Sequence, residues 1–277
     1  MIMSTDEFTI RAVTFDLWET LLFEKDGASA RRADARCRNL AEALNSLGFD
    51  VSVEELSVAI SETVSLMMTK WETNRDVGCI DQIRLIVKKA SKDSLELRQE
   101  WTERLVSAYN LSVREVPPCF NPEARKVLEN LKKRHKHVGL ICNTGLTSGT
   151  ALRQFLADEG VAEYFSSMLF SEEIGIRKPD PRIFHLAAER LGIQPYEIVH
   201  VGDNLKADVW GAMNAGLKAI HFSSGEGIDR LAESDPNSLL SQSRKFDRLE
   251  GLKVVPDMVI SSLSMLTKAI EQLERRS

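Results

Sequence analysis

The stretch from Ile10 to Leu22, IRAVTFDLWETLL, constrains the fold of this chain more than any other. Ala12-Val13-Thr14-Phe15 is a short, β-branched, apolar run, which suits a parallel strand buried on both faces. It ends at one acidic residue, Asp16, where the chain turns. An aspartate just past the C-terminal end of such a strand stands where open α/β sheets present ligand-binding groups. Taken alone, Asp16 could equally cap a turn, so its role depends on what else reaches the same edge.

The chain after Asp16 reads as helix for about 90 residues. Ala33, Cys37, Leu40, Ala41, Leu44 and Leu47 recur every three or four positions, which predicts a helix from about Ala28 to Leu47, stopped at Gly48. Ser52-Val53-Glu54-Glu55 predicts a second helix start, continuing to about Trp71. After a break near Asn74–Gly78, a third helix carries Ile80, Ile83, Ile86 and Val87. A fourth is expected from about Leu95 to Tyr109. No strand is expected here, so residues 23–116 read as an all-helical unit, and residues 1–22 with 117–277 as the other.

Beyond Pro117-Pro118 strands and helices alternate. A helix is expected from Asn121-Pro122-Glu123 to about His135, with Pro122 at its first position. A strand at Val138–Cys142, the turn Asn143-Thr144-Gly145 and a helix over Thr147–Glu159 follow. Next come a strand at Met168–Phe170, a loop over Gly175–Pro181, a helix from Pro181 to Leu191 and a strand at Ile198–Val201. Ala207–Ala215 reads as helix and Lys218–Phe222 as strand. Gly225–Lys253 is polar and irregular, and Met258–Ile260 and Leu263–Arg275 close the chain as strand and helix. Strands alternating with helices of 10–15 residues mean right-handed crossovers and a parallel sheet.

Composition narrows the function classes. A net charge of −5 gives no support for broad contact with nucleic acid or an anionic membrane. No apolar run reaches the roughly 18–20 residues needed to span a bilayer, and MIMSTDEFTIRA lacks the pattern of a signal peptide. Cys37, Cys79, Cys119 and Cys142 are scattered without metal-ligand spacing, as expected of reduced thiols in a cytoplasmic protein.

A parallel sheet delivers its strand ends to one edge, so Asp16, Cys142-Asn143-Thr144, Lys178 and Asp203 with Asp208 can converge there. Each has a plain role in isolation: a solvated loop lysine, a turn pair, a turn aspartate, a helix N-terminal charge. Together they suit a different chemistry. Two carboxylates in reach of each other repel unless a divalent cation lies between them, and oxygen ligands with few protein groups suit Mg²⁺. A lysine would neutralise an anionic substrate, and a carboxylate could attack phosphorus.

VTFDLWETLL, VGLICNTG, GIRKPDPRIF and VGDNLKADVWGAMNAG, in this order, resemble the four motifs of the haloacid dehalogenase superfamily of hydrolases, and PDMVISSLSML is similar to its closing strand and helix. The resemblance implies a Rossmann-like parallel-sheet core with an all-helical cap inserted after the first motif. It further implies Asp16 as nucleophile, with Asp203 and the backbone carbonyl of Trp18 as ligands to Mg²⁺, and Asp208 behind the metal or reaching it through water. Lys178 would bridge nucleophile and substrate. Asn143 would contact the phosphoryl group beside Cys142 and Thr144, and Thr20 would bond within the motif-one turn on the substrate side.

Two positions depart from the pattern. The second motif-one aspartate, the general acid, is Trp18 here, and the motif-two Ser/Thr aligns with Cys142, a poorer hydrogen-bond donor. Three functions follow as expectations. The first is a Mg²⁺-dependent phosphatase acting on a small phosphorylated metabolite. The second is a 2-haloacid dehalogenase, whose aromatic residue two places after the nucleophile Trp18 resembles, acting on a halogenated acid. The third is a weakly active binding or regulatory protein on the same scaffold. Glu19 is expected to point away from the site, His200 to be a packed strand histidine, and Trp71, Arg75 and Arg32 to serve mainly core or surface roles.

Overall fold

The computed structural model describes residues 9–92, 94–223 and 253–276. β1 (Ala12–Phe15) is the central strand of a six-stranded parallel sheet. On one side of it lie β4 (His137–Cys142) and then β5 (Ser167–Phe170). On the other lie β6 (Ile198–Gly202), β7 (Lys218–Phe222) and β8 (Met258–Ile260). All four residues of β1 are buried, as its unbroken apolar texture requires.

Four consecutive helices lie between β1 and β4 in sequence: α1 (Ala28–Ser46), α2 (Val53–Trp71), α3 (Cys79–Ala90) and α4 (Gln99–Glu115). They bury a separate apolar cluster that includes Leu40, Leu56, Met67, Ile86 and Leu105, with Leu146 of the loop after β4 packed into it. Ser52 caps α2, with Ser52 Oγ accepting from Glu55 N while Ser52 N donates to the Glu55 carboxylate, both at 3.1 Å. The sheet helices are α5 (Ala124–Lys133), α6 (Gly149–Asp158), the short α7 (Ser171–Ile174), α8 (Pro181–Leu191), α9 (Gly211–Asn214) and α10 (Leu266–Arg276). Among the described residues no helix is long and apolar enough to cross a membrane.

Several expectations need correcting. The strandless reading of residues 23–116 overlooks Phe23, because β2 (Leu22–Phe23) pairs antiparallel with β3 (Cys119–Phe120). That ribbon is too short to carry a period-two signal. The fourth helix starts at Gln99 rather than Leu95 and runs on to Glu115; Arg98 before it is extended (φ −86°, ψ 150°), and Tyr109, Ser112 and Val113 continue its buried face. The fifth starts at Ala124 rather than Pro122, because the Asn121 side chain accepts from Glu123 N at 2.9 Å and closes a turn first. Leu205–Trp210 winds as a π-helix before α9, not as one regular helix. The irregular tract expected over Gly225–Lys253 lies, but for Lys253, outside the described residues.

Candidate active site

The strand order places a switch at β1: the chain leaves toward β4 and β5, then returns to build β6, β7 and β8 on the opposite side. In an open parallel sheet the crevice beyond the strand ends at such a switch is where ligands bind. Phe15 is level with Leu140 on one side and Val201 on the other, and Asp16 N donates to Val201 O at 2.9 Å. The neighbouring strands run on to Cys142 and Gly202, and Asp16, Asn143 and Asp203 are each the first residue after their strand, at the same edge of the sheet.

Lys178 reaches this point from the loop before α8. Asn143 acts as a peptide mimic toward it: Asn143 Nδ2 donates to Lys178 O at 2.9 Å, and Lys178 N donates to Asn143 Oδ1 at 2.8 Å. One N–H of the amide expected to meet a phosphoryl group is thus used to hold the lysine main chain. Lys178 is only 2% exposed, and its Nζ lies 2.5 Å from Asp16 Oδ1 and 2.6 Å from Asp208 Oδ1. Burial opposes its charge, but the two carboxylates outweigh burial and hold its pKa well above the ordinary lysine value.

The two aspartates differ sharply. Burial pushes Asp16 up to about 7, against the pull of Lys178 and with the charge of Asp208 adding to the rise. Asp208 is equally buried, yet Lys178 and His200 overcome the desolvation and keep it well below the carboxylate range. Asp208 Oδ2 also accepts from Asn204 N at 2.9 Å. His200 Nε2 lies 3.2 Å from Asp208 Oδ1, and its Nδ1 lies 2.9 Å from Thr14 Oγ1. Burial lowers the His200 pKa, so the neutral ring donates from Nε2 to the ionised Asp208 and accepts the Thr14 hydroxyl at Nδ1. His200 is a packed histidine, edge-on to Phe184 at 5.2 Å between centroids, but it also orients Asp208. Gly202 makes room for this: a Cβ there would lie 2.3 Å from Asp208 Cγ.

Asp16, Asp203 and Asp208 each offer an oxygen within 4.8 Å of the others. Three such hard oxygen donors fit a hard divalent cation.

The turn after Asp16 is closed by main-chain bonds: Glu19 N to Leu22 O at 2.6 Å, Leu21 N to Leu17 O at 2.9 Å and Leu22 N to Leu17 O at 2.8 Å. The carbonyl of Trp18 takes part in none of these. Glu19 holds φ at 59° and is buried, 3% exposed. The expected Thr20 bond within the turn is not made. Its hydroxyl has no partner, because the main chain closes the turn unaided, and it is the Thr20 carbonyl that accepts from Asn121 Nδ2 at 3.1 Å. Cys142 is fully buried in the apolar core, and burial raises its thiol well above the usual range.

A cavity of about 120 Å³ opens between the strand edge and the helices, bounded by Trp18, Asn143 and Thr144 below and Arg32, Arg36 and Trp71 above. An engineered apolar cavity of about 150 Å³ takes up benzene, so this one suits a small molecule. Thr144 is held from both sides: Thr144 N donates to Ser171 Oγ at 2.8 Å, and its hydroxyl accepts from Glu172 N at 3.2 Å. Ser171 Oγ in turn donates to Asp76 Oδ2 at 2.5 Å. Asp76 also receives Arg177 Nη1 at 3.1 Å and Trp71 Nε1 at 3.0 Å, and the Arg177 guanidinium stacks 4.2 Å from the Trp71 ring centroid. Asp76, Ser171 and Arg177 were not among the expected site residues, nor were Glu24 and Arg36. Of the three expected bystanders, Trp71 and Arg32 line the cavity.

The model of the haloacid dehalogenase-like hydrolase family matches residues 10–216. The chain belongs to that family. Among curated proteins, this haloacid dehalogenase-like hydrolase is 29% identical over 233 residues to a glyceraldehyde 3-phosphate phosphatase of Methanopyrus kandleri, covering 82% of this chain and 89% of the relative. It is 30% identical to the N-acylneuraminate-9-phosphatase of Mus musculus, covering 81% and 87%. Among solved structures it resembles a 2-haloacid dehalogenase from Pseudomonas syringae pv. Tomato DC3000, with a TM-score of 0.66, 25% identity and coverage of 96% and 100%.

Proposed function

We propose that this hydrolase is a phosphatase that transfers the phosphoryl group of a small substrate to Asp16 and then to water. The carboxylate cluster Asp16, Asp203 and Asp208 is the observation that carries the reading, because attack on carbon needs no such cluster of hard oxygen ligands. The phosphatases among its relatives support the same reaction class.

In this reading an Asp16 oxygen attacks phosphorus, the bond from phosphorus to the leaving oxygen breaks, and that oxygen departs with the electron pair. Water then attacks phosphorus, the bond to Asp16 breaks, and the proton of the water passes to the released phosphate. Lys178 holds Asp16 in position and offsets charge on the nucleophile and the phosphoryl oxygens. Asp16, the Trp18 carbonyl and Asp203 would hold Mg²⁺, with Asp208 behind them. When bound, Mg²⁺ supplies the positive charge that lets carboxylate and phosphate approach. Helices α1–α4, entered and left through the β2–β3 ribbon, would act as the cap over the site.

Trp18 sets the leaving group. Its indole N–H donates a hydrogen bond but cannot yield a proton. The carboxylate on the cavity wall, Glu24, is tied to Arg32 by two hydrogen bonds, one of them 3.1 Å long, so both its oxygens are engaged as acceptors. Alkoxide departure without general acid help costs about 10²–10⁴ in rate. The substrate class that escapes this cost is the acyl, enol or aryl phosphate.

The test is phosphate release from acetyl phosphate and p-nitrophenyl phosphate with Mg²⁺ and with chelator. Metal-dependent release supports the reading, and release that chelator leaves unchanged contradicts it. The dehalogenase alternative draws on Trp18 and on the solved structure above. Halide release from 2-chloropropionate without Mg²⁺ would decide for it.

A further inference from the structure

Three guanidinium groups line the cavity, and two of them are neutralised within the protein. Arg32 donates to both oxygens of Glu24, and its Nε donates to Val116 O at 2.9 Å. Arg177 pairs with Asp76, the two side chains 6% and 0% exposed. Arg36 is different. It is 3% exposed, its Nε has no hydrogen-bond partner, and among the described residues no carboxylate pairs with it. What it has is the buried ring of Tyr109, 4.8 Å from Cζ to centroid. Burial pushes its pKa below the ordinary arginine value, and the charge of Arg32 pushes the same way.

A guanidinium removed from water and left without a counter-charge is costly, and natural proteins keep such groups where an anion arrives to complete them. The Tyr109 ring offsets part of the cost and fixes the plane of the fork. Tyr109 is fixed in turn, its hydroxyl donating to Gln82 Oε1 at 2.7 Å, while Gln82 Nε2 donates to Val77 O at 2.7 Å and Gly145 O at 3.2 Å. The fork is thus a preformed, planar, bidentate receptor opening onto the same cavity as Trp18, Asn143 and Thr144.

We propose that Arg36 is the receptor for a second oxyanion of the substrate, so that the preferred phosphate ester carries a carboxylate or a second phosphate at its far end. The claim rests on the phosphatase reading for its substrate and on the geometry of Arg36 for its anion. A positive charge that meets the far end of the substrate selects substrates by ground-state binding and leaves the chemistry to Asp16 and Lys178.

Matched aryl phosphates isolate the second anion. The 3- and 4-(carboxymethyl)phenyl phosphates and their phosphonomethyl counterparts are compared with the neutral carboxamidomethyl esters, whose leaving groups are nearly equivalent. The wild type should favour an anionic member by about tenfold or more in kcat/KM, chiefly through KM, the scale of one hydrogen-bonded charge pair. Which anion is favoured identifies carboxylate or phosphate. Arg36→Met should bring the ratio toward one, and Arg36→Lys should keep part of it. Because the ratio is taken within each variant, a reduced folded fraction cancels. A ratio near one in the wild type for every pair, or one unchanged by Arg36→Met, overturns the proposal.

Tryptophan fluorescence, with Trp18 and Trp71 on the cavity wall, reads binding without turnover. Malonate and methylphosphonate are titrated into wild type and Arg36→Met. Saturable binding of either that weakens about tenfold in the variant supports the receptor, on the same scale of one charge pair. Absent or equal binding of both contradicts it. Arg36-dependent binding without phosphate release from any ester would leave the anion receptor standing and remove the phosphatase reading. Turnover of all esters without anion preference would do the reverse.

Discussion

The indole of Trp18, two residues beyond Asp16, lies beneath the guanidinium of Arg32, 5.8 Å from Cζ to ring centroid. Glu24 and Val116 O hold that guanidinium, so the ring occupying the place of a proton donor is pinned from the helical side.

In the proposed mechanism this pairing makes leaving-group basicity the main determinant of rate. In a series of aryl and alkyl phosphates, log kcat/KM should fall steeply as leaving-group pKa rises. Trp18→Asp should raise turnover of alkyl phosphates by about 10²–10⁴ and flatten that slope. Equal wild-type rates across the series would show that another group donates the proton.

The Asp76–Arg177 pair joins the loop between α2 and α3 to the segment that carries Lys178. Both side chains are buried, and removing one partner leaves the other charge buried and unpaired. Asp76→Leu should destabilise the protein by about 3–5 kcal/mol in urea unfolding, and adding Arg177→Met should recover much of that loss. Additive losses in the double variant would mean that the pair is not coupled.

Asp16 makes the metal-free protein less stable as pH rises. Its folded pKa, raised to about 7 by burial, exceeds the ordinary aspartate value of 3.8. The folded state therefore holds the proton more tightly, and the stability this lends is full below about pH 4 and lost as pH rises through about 7. Asp16→Asn carries no such loss. In chelator its melting temperature should match wild type near pH 4 and exceed it by about 2–8 °C at pH 8. A gap that narrows with rising pH would reverse the sign of the Asp16 shift.

How much of this was legible beforehand follows from where each residue sits. Asp16 and Asp203 directly follow apolar strands, Lys178 sits in a Gly-Pro-bounded loop before Pro181, and Asp208 opens a helical turn. Local signals therefore located all four, and the parallel sheet brought them together. The partners that hold them were not legible in the same way. Asn143 reaching Lys178, Ser171 reaching Asp76 and Glu24 reaching Arg32 are pairings between loops or elements, which no periodicity encodes. For His200 the strand pattern shows burial but not which neighbour satisfies a buried ring, so its hold on Asp208 is not legible there. Arg36 could have been found. It shares a stripe with Leu40 and Leu44 at helical spacing, and a charged residue on a buried stripe needs a partner. The Thr20 bond is absent because the main chain closes its turn without the hydroxyl.

The central claim is that Asp16 carries the phosphoryl group. Fluoroberyllate with Mg²⁺ mimics a phosphoryl group bonded to a carboxylate, and ¹⁹F NMR reads its capture directly. The wild type should show bound fluoroberyllate resonances that require Mg²⁺ and vanish in Asp16→Asn. Resonances of equal strength in both proteins, or in neither, would contradict an aspartyl-phosphate at Asp16.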